Sequence, residues 1–375
     1  MRLRKDLMRL FLLCVTSLQI SHLQSQEEKP LSFHASYIGD IVNNMHGGLC
    51  TGITYLGFAS VKMDVNTEAA GWWKGGTCTL NIGNTHGGMP SANLVGDFLG
   101  VSSIEAGNLT FLYELWYRQQ VGSFAFTVGV QDLNVDFASS IHGNLFNNSS
   151  FGIHSNITDN IPAPTFPLTA LGMSIDWDIN NKNDLKAAVF DGTPDNYEKN
   201  PYNLKWRLNK YDGYLTIVEW KNTSSLLKKM EGSYKFGVYF HSHDKNDDNL
   251  ENNGGIYFIA DQQICKWGNH QLGLFSQTGF SLAKNHNNYY ISQGINYSAP
   301  FSSRPNDACG IAVAHAGIHD NNGIGDEWCI EAVYKYQINK HIYLKPDLQY
   351  VISPAGTDQN LKNAMVGIIR VGIEI

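Results

Sequence analysis

The feature that most constrains this chain is an alternation of apolar and polar residues with period two, renewed segment after segment. Between Phe111 and Gln120, Phe111, Tyr113, Leu115 and Tyr117 share one face, and Glu114, Trp116, Arg118 and Gln120 share the other. Phe124, Phe126, Val128 and Val130 repeat the pattern after only Val121, Gly122 and Ser123, which predicts a hairpin. Leu171, Met173, Ile175 and Trp177 oppose Gly172, Ser174, Asp176 and Asp178. Near the C-terminus, Ile342, Leu344, Leu348 and Tyr350 oppose Tyr343, Lys345, Asp347 and Gln349, and a last run alternates Ile369, Val371, Ile373 and Ile375. Successive side chains of a strand point to opposite faces, so each segment offers one face to an apolar medium and one to water.

Read this way, the chain divides into strands near 34–43, 52–66, 76–83, 109–121, 124–133, 168–180, 184–191, 211–220, 232–242, 254–265, 270–281, 288–298, 307–318, 328–338, 341–351 and 364–375. An even number, about 16, suits a closed bacterial barrel. Connections after even strands are mostly short, as at Asn181–Asn183 and Asn339 with Lys340. Those after odd strands are mostly long: Asn84–Asn108, Leu133–Pro167 and Gly192–Lys210, with Leu282–Asn287 a short exception. Short turns at one end and long loops at the other match the periplasmic and extracellular ends of an outer-membrane barrel. The expected fold is therefore an all-β, closed, antiparallel transmembrane β-barrel with long extracellular loops.

A secreted sugar-binding β-sandwich also alternates, but it would carry polar outer faces. Aromatic residues near the strand ends favour lipid and its interfaces instead. Charged residues are only 16% of the 375, with 36 glycines and 18 each of Tyr and Phe. A mean hydropathy of −0.24 suits a barrel whose alternate residues face water. The net charge of −7 gives no electrostatic case for nucleic acid.

The N-terminus reads as an export signal over residues 1–25. Arg2, Arg4, Lys5 and Arg9 precede a short apolar stretch from Leu10 to Ile20, with Ser25 a cleavage residue. The barrel domain is expected over 26–375. Beyond the signal, Cys50, Cys78, Cys265, Cys309 and Cys329 form no CxxC pair and no even disulfide set, so most are expected in the barrel wall. Asp244–Asn249 lacks the glycine and the terminal glutamate of a calcium loop. His241 and His243 offer at most a weak metal pair. No metal or cofactor is expected.

Several blocks, in order, resemble the OprB-type carbohydrate-selective porins of Gram-negative outer membranes. They are Tyr55 to Asp64, Asn66-Thr67-Glu68, Gly71-Trp72-Trp73-Lys74-Gly75-Gly76, His86-Gly87, Val95-Gly96-Asp97 and Ser102 to Ala106. Leu112 to Gln119 looks like the family's most recognisable segment. Val128-Gly129 with Asp132, Asn134, Asp136 and Phe137 follows, then Asn148 to Gly152, Gly255 to Tyr257, Ala260 to Gln262, and Pro346 to Val351 with Pro354 and Gly356. Val130 departs from the pattern where a basic residue is expected, and Ile375 stands where many outer-membrane proteins end in an aromatic. The resemblance implies a barrel of about 16 strands and passive diffusion of sugars such as glucose.

A sugar presents hydroxyls and weakly apolar ring faces, so a pore that tolerates it needs hydrogen-bonding groups and a stacking aromatic. The water-facing side of the Phe111–Gln120 segment supplies Glu114 as acceptor, Arg118 as forked donor and Trp116 as plate. If the loop from Asn84 to Asn108 folds inward, it brings Asp97 and Glu105 near Arg118. Against this stands a structural reading in which Arg118 and Glu114 pair within one strand and hold the wall. Glu219, Asp261, Gln262, Lys345, Asp347 and Arg370 are expected as structural lumen or rim residues. The alternatives in function are a general non-selective porin and an outer-membrane barrel hydrolase. The chain has no GxSxG elbow, and His46–Gly48 and His86–Gly88 lack the strand–nucleophile–helix context. Its expected partners are small sugars, outer-membrane lipid and, as an open possibility, further copies of itself.

Overall fold

A computed structural model describes residues 29–227, 230–242, 252–282, 285–320, 323–356 and 361–375. The export segment 1–25, the Asp244–Asn249 stretch and His243 lie outside them. Sixteen strands form a single closed antiparallel barrel in which each strand pairs with the next and the last returns to the first. They are β1 (Leu31–Gly48), β2 (Gly52–Asn66), β3 (Gly76–Gly87), β4 (Leu109–Val121), β5 (Phe124–Gln131), β6 (Ala170–Asn180), β7 (Asn183–Asp191) and β8 (Tyr214–Leu227), then β9 (Met230–Ser242), β10 (Asn253–Trp267), β11 (His270–Ser281), β12 (Asn287–Ser298), β13 (Ala308–Asp320), β14 (Gly323–Gln337), β15 (Ile342–Ile352) and β16 (Lys362–Glu374). Three of these match the expected bounds at both ends, and β1 runs well past them. Closure of the strand order on itself excludes the sandwich.

The alternation sets which way each wall residue faces. Ile53, Val61, Met173, Phe236, Ile311, Leu348 and Ile369 stand on the outside, where a water-filled lumen leaves the apolar face for lipid. Aromatic clusters mark both rims. Trp267, His270 and Tyr297 stack at the end that carries the termini, and His315 stacks on Trp328 at the other, with centroids 3.7 Å apart.

Strand β4 departs from simple alternation. Asn81 of β3 pairs with Glu114, but the next residue, Ile82, pairs with Leu112, so Tyr113 is an extra residue. Such a bulge re-aims side chains. Phe111 and Tyr113 therefore turn inward, and only Leu115 and Tyr117 keep the expected outward direction. Phe111 and Tyr113 pack inside against Phe166. Gln262 also departs from expectation: it faces outward beside Leu274, because Asp261 takes the inward position.

The buried core lies inside the barrel. The connection 132–169 leaves β5, folds into the lumen and returns as β6. Its Leu133, Phe137, Ile157 and Ile161 pack on Leu215, Ile217, Tyr257 and Ile259 of the wall, while Phe146 and Phe151 pack on Phe275 and Tyr290. The connection 88–108 enters beside it and sets Val95, Val101 and Ile104 against Val42, Leu56 and Val366.

Turning inward has a consequence for the wall. β5 pairs with β4 only from Val130 down to Phe124, so the upper part of β4 loses its neighbour there. The connection 192–213 fills that gap. Leu112 N–H donates to the Tyr202 carbonyl at 3.0 Å. Asn203 Nδ2 donates to the carbonyls of Leu112 and Thr169, each at 3.2 Å. Asn203 holds a left-handed backbone with φ 51°, a conformation asparagine tolerates better than most residues.

Candidate pore constriction

Wall carboxylates hold the two inward loops by their backbone N–H groups. Asp261 on β10 accepts from Ser140 Oγ at 2.6 Å and from the amides of Ile141 and His142 at 3.1 and 3.0 Å. Glu331 on β14 accepts from the amides of Asn147 and Asn148 at 2.5 and 3.0 Å. Glu327, also on β14, takes the amides of Phe98 and Leu99 at 2.7 and 2.9 Å and that of Ala355 at 2.8 Å. Glu219 takes the Ala138 amide at 2.9 Å. Charge-assisted bonds of this kind are about twice as strong as neutral ones. Buried Lys345 answers in the opposite sense and donates to the Leu145 carbonyl at 2.9 Å. Glu219, Asp261, Lys345, Asp347 and Arg370 are thus inward and buried.

Several spaces remain open inside the barrel, and two of them flank Glu114. Toward the long-loop end, a cavity of about 490 Å³ is lined by both loops and the wall, among them Ser103, Glu105, Tyr113, Asp132, Asn134 and Phe166. Toward the terminal end, one of about 370 Å³ is lined by His34, Ser36, Ser60, Lys62, Asn81 and Glu374. Glu114 stands between them. Its Oε2 accepts from Asn81 Nδ2 at 3.1 Å, and it lies close enough to Asp132 to act on its charge. Tyr113 Oη donates to the Asp132 carboxylate.

Trp116 Nε1 donates to Glu114 Oε1 at 3.2 Å, and Lys62 Nζ lies 5.9 Å from the Trp116 ring centre. The expected Glu114–Arg118 pair does not form. Arg118 instead meets Asp176 of β6 at 2.5 Å and Thr127 Oγ1 at 3.2 Å. Asp176 continues to Lys186 at 3.9 Å, and Lys186 to Asp136 of the inward loop at 2.7 Å. This gives a ladder of alternating charge down one side of the lumen.

Asp97 and Glu105 sit in the inward loop 88–108, yet neither pairs with Arg118 among the described residues. Glu105 lines the larger cavity and accepts from the amides of Ser91 and Ala92 at 3.0 and 3.4 Å, capping the helical turn Ser91–Val95. Asp97 is buried beside Glu327 of β14. Burial, helped by nearby Glu105, pushes its carboxyl up to about 6. Burial also raises Asp132 to about 6, with Glu114 and Asp136 adding to the effect. Burial drives His154 down to about 3, with its ring between Tyr257 and Tyr290.

The sequence marks Asp132 and Asp136 only as part of a family-like block and Asp176 only as one residue of a strand's polar face, none of them as a site residue, and it gives Lys186 no mark. The signal for Asp176 was present: consecutive hairpins carry Arg118 opposite Thr127, and Thr127 opposite Ser174, two residues from Asp176. His241 is buried with Nε2 2.6 Å from the Gly192 carbonyl oxygen, and His243 lies outside the described residues. The five cysteines are free; Cys50 lies in the β1–β2 turn and the other four on strands.

A sequence model described as carbohydrate-selective porin, OprB family, matches residues 51–375. Porin B of Pseudomonas aeruginosa is 24% identical, covering 92% of this chain and 87% of its own. A putative porin of Acinetobacter baylyi, QuiX, is 22% identical over 90% of this chain and 87% of its own. Among solved structures, OprB of Pseudomonas putida at high pH superposes with a TM-score of 0.83 at 20% identity, covering 93% of this chain and 95% of that one. The low-pH structure of the same protein gives 0.63 at 17% identity, covering 93% of each chain.

Proposed function

Since the chain belongs to the OprB family of carbohydrate-selective porins, and is therefore a channel and not an enzyme, we propose that it passes monosaccharides such as glucose through the narrow stretch at Glu114. The family and the barrel imply a Gram-negative outer membrane. In our reading, residues 1–25 direct export and are removed, 26–375 make the barrel, the short turns face the periplasm and the long loops face outside.

The observation that carries the reading is the position of Glu114 with Asn81 between the two cavities. A sugar moving from one to the other passes the Glu114 carboxylate as acceptor, the Trp116 ring as a plate for a C–H face, and Arg118 as donor. Asp97 and Glu105 contribute less directly. Glu105 lines the approach, and Asp97 supports the loop that forms it. The partners already present, Asp176 for Arg118 and Asn81 for Glu114, keep these groups aimed while leaving further donor and acceptor capacity. Binding of this kind is weak and multi-sited, which lets solute leave as readily as it enters.

The test is single-channel conductance of the refolded barrel in a planar bilayer with glucose titrated in. A saturable fall of ion current that weakens in Arg118→Ala and Trp116→Ala supports the reading. Block unchanged in both variants removes these residues from the path. Open channels without any saturable response point to a general non-selective pore.

A further inference from the structure

A third cavity, of about 320 Å³, opens inside the barrel toward the terminal end, between β8 and β12. Strand β11 stands eight places from β3 in the ring, so the cavity lies across the lumen from Asn81 and Glu114. Ile141 and His142 of the inward loop roof it, held there by Asp261. Gly273 of β11 leaves room for the imidazole: a Cβ there would stand 2.4 Å from His142 Nε2.

The wall of this cavity carries unspent hydrogen-bonding capacity. Ser233 pairs across the strands with Asp261, and Asn296 with Gly273, so both face the lumen. Each is 7% exposed, and among the described residues Ser233 Oγ and Asn296 Oδ1 have no hydrogen-bond partner. Buried polar atoms left in this state are costly and uncommon in native proteins. Gln263 Nε2 donates to Gln271 Oε1 at 3.1 Å, which leaves Gln263 Oε1 as an acceptor and Gln271 Nε2 as a donor. Glu231, second residue of β9, adds an exposed carboxylate that no cation neutralises among the described residues. Ile141 is 66% exposed although it lies within the barrel, so it offers an aliphatic face. Donors and acceptors around one aliphatic face complement a ring with hydroxyls on its edge and C–H groups on its face. The volume stands at the lower end of small-ligand pockets, roughly 300–1,000 Å³, which fits one such ring.

We propose that this cavity is a second sugar site, entered from the terminal end, in which a monosaccharide rests beside the path through the constriction and not on it. Its hydroxyls supply the partners that Ser233 and Asn296 lack. Gln263, Gln271 and Glu231 hold its outer edge, and Ile141 lies against a C–H face. Because the passage at Glu114 is across the lumen, a sugar bound here narrows the exit without closing it. The inference rests on reading the chain as a monosaccharide channel, but it uses none of Glu114, Trp116 and Arg118.

The experiment records single channels of the full-length mature protein, inserted in one known orientation, with glucose added to one side at a time. From the terminal side, a second and partial block level is expected besides the block at the constriction. The glucose concentration that half-occupies this level is expected to rise about 3- to 10-fold in Glu231→Ala and in Gln271→Ala. Neither residue anchors the inward loop, so both variants should fold and conduct. A single block level from both sides would mean that water alone fills the cavity and would overturn the proposal, while the reading of the constriction stands. A partial level unmoved in both variants would overturn it equally. No saturable block from either side would overturn both.

Discussion

Arg370 of β16 and Asp40 of β1 stand directly opposite each other at the seam where the last strand closes on the first. They meet through two bonds of 2.7 Å, Nε to Oδ1 and one terminal nitrogen to Oδ2. Both are buried. Ser102 of the inward loop 88–108 also donates to Asp40, at 2.7 Å, so one pair ties the seam to one of the two inward loops.

Removing one partner from such a pair leaves an uncompensated buried charge. Asp40→Ala is expected to destabilise the barrel by about 3–5 kcal/mol, read as a lower unfolding temperature on gels that separate folded from unfolded barrel. Seam rupture should also loosen the loop, so the channels that remain should fluctuate more in current than the parent's.

Asp261 is the anchor of the inward loop 132–169 that is simplest to test, since it accepts three bonds from consecutive residues. Asp261→Ala leaves the amides of Ile141 and His142 without their acceptor, a cost of about 1–3 kcal/mol for each group that stays buried. The loop is then expected to leave the lumen part of the time, giving higher mean conductance and weaker glucose block. Identical conductance would mean that Glu331 and Glu219 hold the loop without it.

Trp116 offers a ring face without carrying a wall charge. Losing a stacking contact of about 1 kcal/mol in Trp116→Ala should raise the glucose concentration for half block about fivefold. Trp116→Phe should recover part of the loss. Titrating glucose against ion current compares the three proteins directly.

Asp97 and Asp132 carry carboxyls raised to about 6, so they lose charge as pH falls from 7.5 to 5. A pore with fewer negative groups selects less for cations. Cation preference, measured as reversal potential across a salt gradient, is expected to fall with a midpoint near 6. His154, held at about 3 by burial, stays neutral over this range and adds nothing. Asp132→Asn should flatten the profile; an unchanged profile would place the titrating group elsewhere.

Most of the wall was legible because alternation is a local signal: a strand with one face in lipid must repeat it every second residue. Met173, Leu348 and Ile369 fall where the pattern puts them. Tyr113 did not, since a bulge is a register event between two strands and leaves no mark in the alternation of one. The lumen was less legible still. Glu327 to Leu99 and Glu331 to Asn148 join residues far apart in sequence, through backbone amides that carry no side-chain identity. The positions of Glu114, Trp116 and Arg118 on the water-facing side followed from sequence, whereas their partners followed only from how neighbouring strands are staggered.

The patch formed by Tyr202 and Asn203 against Leu112 and Thr169 makes two loops interdependent. Loop 132–169 sets how narrow the passage is, but it does so by vacating a stretch of wall that only loop 192–213 makes good. Neither is therefore a free variable. A recombinant barrel given a shorter or differently shaped inward loop would need a matching plug, or it would conduct through its side as well as through its axis. Diversification of solute range on this scaffold should then proceed by paired exchange of the two segments, and libraries that shuffle one alone should be dominated by leaky or unfolded barrels.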